Sequence, residues 1–441
     1  MDILIIQKKL QERRRKIKGE RRFQPAQFLA ISFIAAILVG TGLLMLPQAT
    51  KSGHISLIDA LFTATSGVCV TGLIVQDTAS YFSPVGQIII LMLIQLGGLG
   101  IMTFSTLILI AAGKSISIKD RIIIQKGFHP TAPKDVKSLI KRIFIYTVSV
   151  EAAGVLSFFL RFQKDYSWLR ALYQSAFHSV SAFCNAGFSL FSDSFMAYRS
   201  DLWINLTLMV LIVFGGLGFL VLDELRCGAV CIVRREKARI SLHSKLVLIM
   251  TLFLILISFV CFLLIEWNHS LGAFDLKEKG LSSLFQIITP RTAGFNTLNL
   301  NSLSYAMAFL LMMLMFVGAS PGSTGGGVKT STIGVIAAFL RSKIGARESV
   351  NVFYRTLPQE LVMRAFTVVT LAVSIIFLSS FFLLLTQAGA SMKEVLFEAF
   401  SAFGTVGLSL GLTPKLTTVG KIIIVLTMYI GRIGPLTLLY A

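Results

Sequence analysis

The sequence is poor in charged residues, and above all in acidic ones. Only 14% of its 441 residues are charged, and 21 Asp and Glu stand against 41 Lys and Arg. A soluble domain carries about 25% charged residues, so this composition excludes an ordinary soluble protein. Hydrophobic residues make up 55% of the chain, and the mean hydropathy is +0.78. Since about 20 consecutive apolar residues span a bilayer, the sequence predicts a polytopic membrane protein.

Cysteine is scarce as well. The five cysteines are odd in number and scattered, which argues against a disulfide framework. Cys227 and Cys231 are too isolated to indicate a zinc site. No membrane-embedded set of His, Asp or Cys suggests nucleophilic or metal chemistry. The chain is therefore expected to be no enzyme and to carry no cofactor of its own.

The net charge of +20 is distributed unevenly. We predict eight apolar spans, at about 28–46, 85–112, 139–160, 202–222, 244–265, 303–340, 363–386 and 417–440. The segments between them alternate between a basic kind, with 9, 8, 6 and 5 Lys and Arg (1–26, 113–142, 223–245, 341–364), and a neutral kind, with 1, 4, 3 and 2 (48–84, 161–201, 266–302, 387–416). The positive-inside rule places the basic kind in the cytoplasm, with both termini, and the chain in the cell inner (plasma) membrane. The basic charge thus sets topology and does not indicate nucleic-acid binding.

The neutral segments share one pattern, which predicts four repeats. Each begins as a short apolar helix and ends in a turn of small residues that contains a glycine: Gly72, Gly187, Gly294 and Gly407. These glycines lie 115, 107 and 113 residues apart, and an apolar residue follows each. Four units of similar length indicate internal repetition. The all-α chain is then divided into a basic N-terminus (1–26) and repeats at 27–112, 113–222, 223–340 and 341–441.

Such a pattern suits a pore for cations. A helix that enters the membrane and turns back leaves backbone groups unpaired, so it persists only where protein buries it or where it lines water. Four such loops around one axis would point carbonyl oxygens at a shared cavity, and carbonyl rings can replace an ion's hydration shell. The preceding helices would direct their partly negative C-terminal ends to the same point. Glycine is expected where the chain needs a positive φ to turn its carbonyl inward.

Two further features lie in the third and fourth repeats. The predicted span 303–340 would be about 57 Å long at 1.5 Å per residue, about twice the hydrocarbon thickness, so it must break. The break is predicted where Pro321 and five glycines interrupt it, at Gly318, Ala319, Ser320, Pro321, Gly322, Ser323, Thr324, Gly325, Gly326 and Gly327. This segment is not a P-loop, because Val328 separates Gly327 from Lys329 and no strand precedes it. Arg432 lies in the last apolar run and is expected to face the protein interior.

These motifs resemble the superfamily of Trk, Ktr and HKT potassium transporters, and within it the KtrB-type membrane subunits of bacterial Ktr systems. The resemblance spans nearly the whole chain and is carried by the glycine-rich segment, Arg432 and four motifs: Thr-Ser-Gly-Val-Cys-Val-Thr-Gly-Leu (65–73), Ser-Ala-Phe-Cys-Asn-Ala-Gly-Phe-Ser (181–189), Thr-Pro-Arg-Thr-Ala-Gly-Phe-Asn-Thr (289–297) and Ser-Ala-Phe-Gly-Thr-Val-Gly-Leu-Ser (401–409). One departure is that Leu284-Phe285 stands one residue closer to its glycine than its counterparts do, so the third pore helix is expected to be reoriented.

The resemblance implies potassium uptake through a selectivity filter of four loops. Its backbone carbonyls would bind potassium at Val70, Thr71, Gly72, Asn185, Ala186, Gly187, Thr292, Ala293, Gly294, Thr405, Val406 and Gly407. It further implies that the glycine-rich segment and Arg432 form a gate, that the chain works as a homodimer, and that a cytosolic nucleotide-binding ring of the RCK type (KtrA-like) regulates it. Glycine rather than serine at Gly72 implies a preference for potassium over sodium.

Several interpretations remain open at this point. The main alternative is a secondary cation transporter with alternating access, possibly coupled to sodium, although acidic relay residues are nearly absent from the spans. Small residues at Gly97–Gly100 and Gly215–Gly218 are interpreted as helix-packing positions. Glu151 is expected to pair with a basic residue, and His178 to be packed or to form a simple hydrogen bond.

Overall fold

The computed structural model describes residues 25–100, 136–236, 240–347, 349–353 and 355–435. Most of the predicted basic N-terminus and the segment 101–135, which includes the start of the predicted second repeat, lie outside these ranges. Within them the regular structure is α-helical apart from one two-stranded antiparallel hairpin, β1 (Asn351–Val352) and β2 (Arg355–Thr356).

The helices follow the predicted order of span, short helix and span. Repeat 1 contains α1 (Pro25–Leu44), α2 (Leu57–Val68) and α3 (Pro84–Leu99). Repeat 2 contains α4 (Val136–Phe162), α5 (Trp168–Phe183), α6 (Leu202–Leu217) and the start of α7 (Phe219–Val233), which continues into repeat 3. Repeat 3 contains α8 (Leu242–Glu266), α9 (Leu276–Ile288), α10 (Tyr305–Phe316) and α11 (Thr330–Ile344). Repeat 4 contains α12 (Gln359–Thr386), α13 (Met392–Gly404) and α14 (Thr418–Ile433).

The first helix of every repeat is long and apolar enough to cross a membrane. These four helices contain spans of 18 to 28 residues, and only 17% to 33% of each hydrophobic window is buried in the protein. They therefore form the lipid-facing periphery. The inner helices α3, α6, α10 and α14 each begin at a Ser, Asp or Thr whose side chain accepts a hydrogen bond from the first turn, which satisfies an otherwise unpaired N–H group.

Two predicted spans are broken in the structure. The break between α10 and α11 comprises residues 317–329 and contains the predicted glycine-rich segment. The predicted span at 202–222 is present as α6 but ends early, because α6 and α7 meet at Gly218 with a bend of 105°. Gly218 has φ +92°, a conformation that ends a helix and that other residues adopt only with strain. The expectation that Gly215–Gly218 serves packing alone was therefore incomplete.

The short helices pack tightly against the inner helices of their own repeats. A Cβ atom at Gly97, Gly215 or Gly431 would collide with a backbone carbonyl at the C-terminal end of α2, α5 or α13, respectively. The packing interpretation is thus correct for Gly97 and Gly215. Only glycine lets the backbones approach this closely, so these contacts bring the C-terminal ends of the short helices to the centre of the molecule.

Candidate functional site: a ring of four loops above a broken helix

Four loops follow the short helices α2, α5, α9 and α13, and each contains one of the predicted glycines. Gly72, Gly187, Gly294 and Gly407 have φ values of +86°, +71°, +80° and +97°, as predicted from the need for a positive φ. All twelve residues of the predicted filter are buried or half-buried. The partly negative C-terminal end of each short helix is directed into its loop.

The four glycines meet around one axis. A Cβ atom at any of them would collide with a carbonyl oxygen of the next loop: Gly72 with Ala186, Gly187 with Ala293, Gly294 with Val406 and Gly407 with Thr71. The repeats therefore close into a ring in chain order, and repeats 1 and 3 face each other, as do repeats 2 and 4. Backbone carbonyls thus surround the axis, as expected of a carbonyl ring.

A second strained position recurs in every loop, two residues before the glycine. Val70, Asn185, Thr292 and Thr405 have φ values between +50° and +73°. This conformation costs about 1–2 kcal/mol for a non-glycine residue and clusters at functional sites, where the surroundings hold it in place. Sequence reasoning missed this strain, because only Asn185 is of a type that tolerates it well.

Hydroxyl groups on the short helices hold the loops. Ser66 Oγ accepts from the Gly72 amide at 3.0 Å, and Ser401 Oγ accepts from the Gly407 amide at 3.1 Å. In the other two repeats Ser181 and Thr289 donate to the carbonyl that follows the glycine. Thr289 lies five residues before Gly294, whereas each of the three serines lies six residues before the glycine of its loop. The one-residue departure of repeat 3 is therefore accommodated at this hydrogen bond.

The break in the third inner helix lies directly beneath this ring. The Gly326 amide donates to Thr405 Oγ1 at 3.1 Å, and Thr324 Oγ1 donates to the Phe183 carbonyl at 3.3 Å. The amides of Ser320 and Thr324 donate to carbonyls at the end of α6, at 3.0 and 3.2 Å. The segment 318–327 is thus held against the loops of repeats 2 and 4 and beside the bend at Gly218.

Two cationic side chains hold this segment from different sides. Arg432 donates to the carbonyls of Thr324 and Gly97, so it reaches the segment and links it to repeat 1. Lys329 Nζ donates to the carbonyls of Gly325 at 2.7 Å and Gly326 at 3.4 Å. The sequence interpretation used Lys329 only to exclude a P-loop. The sequence feature that could have indicated its contact with the segment 318–327 is its position two residues after Gly327.

Among the residues that the structure describes, none is the expected basic partner of Glu151. Its side chain instead accepts from Gln95 Nε2 at 3.3 Å and lies 3.9 Å from Cys184 Sγ. Both partners are neutral groups that adjoin the loop of repeat 2. No ion pair of Glu151 is thus present in the described part of the chain, whereas the expectation of packing or a hydrogen bond for His178 is confirmed, since both ring nitrogens have partners.

Outside the ring, an acidic side chain links the first two repeats. The Asp77 carboxylate accepts from Ser192 Oγ at 2.7 Å and from the Ser80 amide at 3.0 Å. Burial acts to raise the pKa of Asp77, but the hydrogen bonds from Ser80 and Ser192 outweigh it, and the pKa is lowered. The link is therefore complete above the usual pKa of an aspartate, near 4, and is lost as the pH falls through the lowered value.

In the part of the chain that the structure describes, no three His, Cys, Asp or Glu side chains converge as a metal site would require. The groups that converge on the axis are carbonyl oxygens. Oxygen ligands suit hard cations, and uncharged carbonyls bind them without trapping them. The arrangement is thus suited to passage of alkali cations.

The chain matches known transport proteins over nearly its whole length. The family model described as TrkH, a cation transport protein, matches residues 2–441. The chain is 41% identical to the Ktr system potassium uptake protein B of Bacillus subtilis over 422 residues, 95% of this chain and 93% of that protein. It is 36% identical to the potassium/sodium uptake protein NtpJ of Enterococcus hirae, over 97% of this chain and 94% of that protein.

The fold has also been seen in a solved structure. The crystal structure of the potassium transporter TrkH from Vibrio parahaemolyticus superimposes with a TM-score of 0.74, and the alignment covers 96% of this chain and 86% of that one at 20% identity. The overall architecture is therefore that of an all-α polytopic membrane transporter.

Proposed function

Because the chain belongs to the TrkH family of cation transport proteins, we propose that it takes up potassium across the cell membrane through the ring of four loops. The observation that carries this proposal is the convergence of four positive-φ glycines and their neighbours' carbonyls on one axis. The relatives with the highest identity named above are uptake proteins for potassium, or for potassium and sodium, and none is an enzyme. Carbonyl oxygens would replace the water around the ion as it passes.

The segment 318–327 and Arg432 form the gate of this pathway. The segment lies beneath the ring, where a permeating ion has to pass, and its contacts are hydrogen bonds of glycines and small polar residues. Arg432 adds a positive charge that opposes a cation and donors that hold the segment closed. Rearrangement of these hydrogen bonds would open the path without unfolding α10 or α11.

Regulation is assigned to a cytosolic partner. The name of the Bacillus subtilis relative describes one component of a Ktr system, and the basic segments 113–142 and 223–245 offer a cytoplasmic contact surface. We therefore expect a homodimer that is activated by a nucleotide-binding ring of the RCK type. The protein would lie in the inner (plasma) membrane with both termini in the cytoplasm, since the basic segments adjoin the cytoplasmic ends of the spans.

The proposal is tested by tracer uptake into vesicles that contain the purified protein, with potassium as the transported ion and sodium as competitor. Replacing Gly72 or Gly294 with Ser should weaken the preference for potassium, because a Cβ at either position collides with a carbonyl of the next loop. Gly42→Ser is the matched control, since nothing lies within 4 Å of a Cβ there. Uptake that is equal for both ions in the parent protein would refute the proposed function.

Sodium coupling is the second candidate, favoured by the name of the Enterococcus hirae relative. The same vesicles distinguish the two. If an inward sodium gradient drives potassium accumulation against its own gradient, the protein is a coupled transporter. If sodium changes the rate but never the direction of potassium flux, it is a gated pore.

A further inference from the structure

Every short helix has a buried polar residue directly after a buried phenylalanine. The four pairs are Phe62-Thr63, Phe177-His178, Phe285-Gln286 and Phe397-Glu398, and no polar member is more than 3% exposed. Burying a polar group is costly unless it forms hydrogen bonds. The hydrogen-bond partners of these four side chains therefore indicate what the residue after the phenylalanine contributes to the structure.

In repeat 2 the polar residue, His178, holds the segment that leaves the loop. The term strand denotes here the segment that follows the glycine of a loop, residues 188–191 in repeat 2 and 408–411 in repeat 4. His178 Nε2 accepts the Leu190 amide at 3.1 Å and lies 3.2 Å from Ser189 Oγ, while Nδ1 bonds to the Gln174 carbonyl at 2.9 Å. These partners assign the proton to Nδ1. Ser189 Oγ accepts in turn from the Phe191 amide at 2.9 Å.

Repeat 4 contains the same arrangement with a carboxylate. Glu398 Oε2 accepts from Ser409 Oγ at 2.8 Å, and its other oxygen accepts from Thr413. Ser409 Oγ accepts from the Gly411 amide at 3.1 Å. In the same way, Ser189 Oγ accepts from the amide of Phe191, which also lies two residues further along the chain. Both serines stand two residues after the glycine of their loop, so the two arrangements are equivalent by position.

Repeats 1 and 3 lack this arrangement. Among the residues that the structure describes, Thr63 Oγ1 and both polar atoms of the Gln286 amide have no hydrogen-bond partner. Two residues after the glycine stand Ile74 and Asn296 instead of serine, and the Asn296 side chain donates to its own strand at Leu298. The residue after the phenylalanine therefore holds the strand in repeats 2 and 4 but not in repeats 1 and 3, and like repeats face each other. In repeats 1 and 3 the strand has other partners: Gln76 donates to Asp59 at 3.3 Å, and the Asn296 amide donates to Ser194 Oγ at 3.2 Å.

We infer that His178 and Glu398 are positioning residues that fix the strands after Gly187 and Gly407 and thereby set the preference among cations. They do not contact the axis themselves but act through Ser189 and Ser409. A carbonyl cage distinguishes ions only while its oxygens are held in place, and strained loop residues persist only where the surroundings hold them. This inference rests on the proposed function and goes further, since it assigns a part in selectivity to two residues that lie outside the ring of carbonyls.

The test uses Glu398→Ala, Ser409→Ala and His178→Ala in vesicles, with the ratio of potassium to sodium uptake as the readout. Loss of a buried hydrogen bond that leaves its partner unsatisfied corresponds to about a tenfold change, and we expect the ratio to fall by about that factor. The double variant Glu398→Ala/Ser409→Ala should be no worse than either single variant, because the residues act as one unit.

Conservative variants and a matched control separate positioning from general destabilisation. Glu398→Gln and His178→Gln retain a hydrogen-bond acceptor near the serine and should keep the ratio within about twofold of the parent. Thr63→Val occupies the equivalent position in repeat 1, where no partner exists, and should leave the ratio unchanged.

Amide hydrogen exchange gives a readout that does not depend on transport. Exchange in segments 188–191 and 408–411 should speed up in the alanine variants and not in Thr63→Val. If the parent prefers potassium but the folded alanine variants keep its ratio and its exchange rates, the inference is overturned. If the parent shows no preference for potassium, the proposed function fails instead, and exchange alone decides whether the strands are held.

Discussion

Arg432 places a positive charge beside a pathway that is proposed to conduct cations. Its two guanidinium nitrogens donate to Thr324 and Gly97, which belong to different repeats. An arginine facing lipid would be costly, whereas here its donors are paired with the Gly97 carbonyl near the end of α3 and with the Thr324 carbonyl in the broken segment. The residue thus combines a repulsive charge with a link between the segment 318–327 and the ring of repeats.

We predict that Arg432→Ala raises potassium flux. Two like charges about 8 Å apart repel by about 2 kcal/mol at an effective dielectric constant of about 20, so a rise of about thirtyfold is expected. Arg432→Lys should be intermediate, because the charge remains but the planar fork is lost. The measurement is tracer uptake per amount of folded protein, with Arg364→Ala, on an exposed part of α12, as control. Folded Arg432→Ala protein that conducts no faster than the parent would show that the residue is a structural anchor.

At the scale of elements, the broken third span differs from the other inner helices. The inner helices of repeats 1, 2 and 4 end at Gly100, Gly218 and Gly434, each with positive φ, whereas in repeat 3 residues 317–329 separate α10 from α11. Residues 318–320 and 324–326 of this insertion are buried, while its tip at Pro321, Gly322 and Ser323 is half-buried. The tip is held by the Phe219 amide, which donates to the Gly322 carbonyl at 2.9 Å, so movement of the tip breaks this hydrogen bond to the start of α7.

Deleting Gly322 and Ser323 should therefore raise potassium flux and weaken its dependence on a regulatory partner. The deletion shortens the tip but leaves the contacts of Thr324 and Gly326 with the rest of the protein in place. Uptake is measured with and without the cytosolic partner. Ser323→Ala is the control, because that hydroxyl bonds only to Ser320 within the segment, and it should behave like the parent. A deletion variant that folds and still needs the partner fully would count against the gate.

At the scale of the whole molecule, hydrogen bonds close the four repeats into a ring. Repeats 1 and 2 are joined by Asp77 and Ser192, repeats 2 and 3 by the Phe195 amide and the Asn296 carbonyl at 3.0 Å, and repeats 3 and 4 by Lys393 and the Leu303 carbonyl at 3.3 Å. Repeats 4 and 1 are joined by an ion pair of Lys421 and Asp59 at 2.6 Å. The last link joins residues 362 positions apart, so it forms only when the ring closes.

We predict that Lys421→Met lowers the thermal stability of the protein. The two side chains are only 15% and 12% exposed, and removing one partner of a buried ion pair costs about 3 kcal/mol because the other charge is left unpaired. The unfolding midpoint in detergent should fall by at least about 5 °C. Adding Asp59→Asn should recover part of the loss. Lys164→Met, at an exposed site, is the control, and a midpoint for Lys421→Met equal to that of this control would show that the ion pair contributes nothing.

The sequence by itself determined the features that depend on local chemistry. Apolar runs of membrane length, the alternation of basic and neutral segments, and one glycine per repeat follow from hydropathy, charge and backbone freedom, which a residue carries wherever it stands. The positive φ of Gly72 and its three counterparts and the break around Pro321 were predictable for this reason. The bend at Gly218 was not, because a glycine that packs and a glycine that ends a helix look alike in sequence.

Only the tertiary structure decided how the repeats meet. Some of these features are contacts between segments far apart in the chain: the cyclic order of the four loops, the neutral partners of Glu151 and the carbonyls that accept from Arg432. Others, such as the strands held by His178 and Glu398, are contacts between neighbouring turns whose geometry is set by packing. The strained φ of Val70 and Thr405 is of the same kind, since neither residue prefers that conformation and the surrounding loops impose it. Such contacts form only when all four repeats close around one axis, and no residue's own preferences encode them.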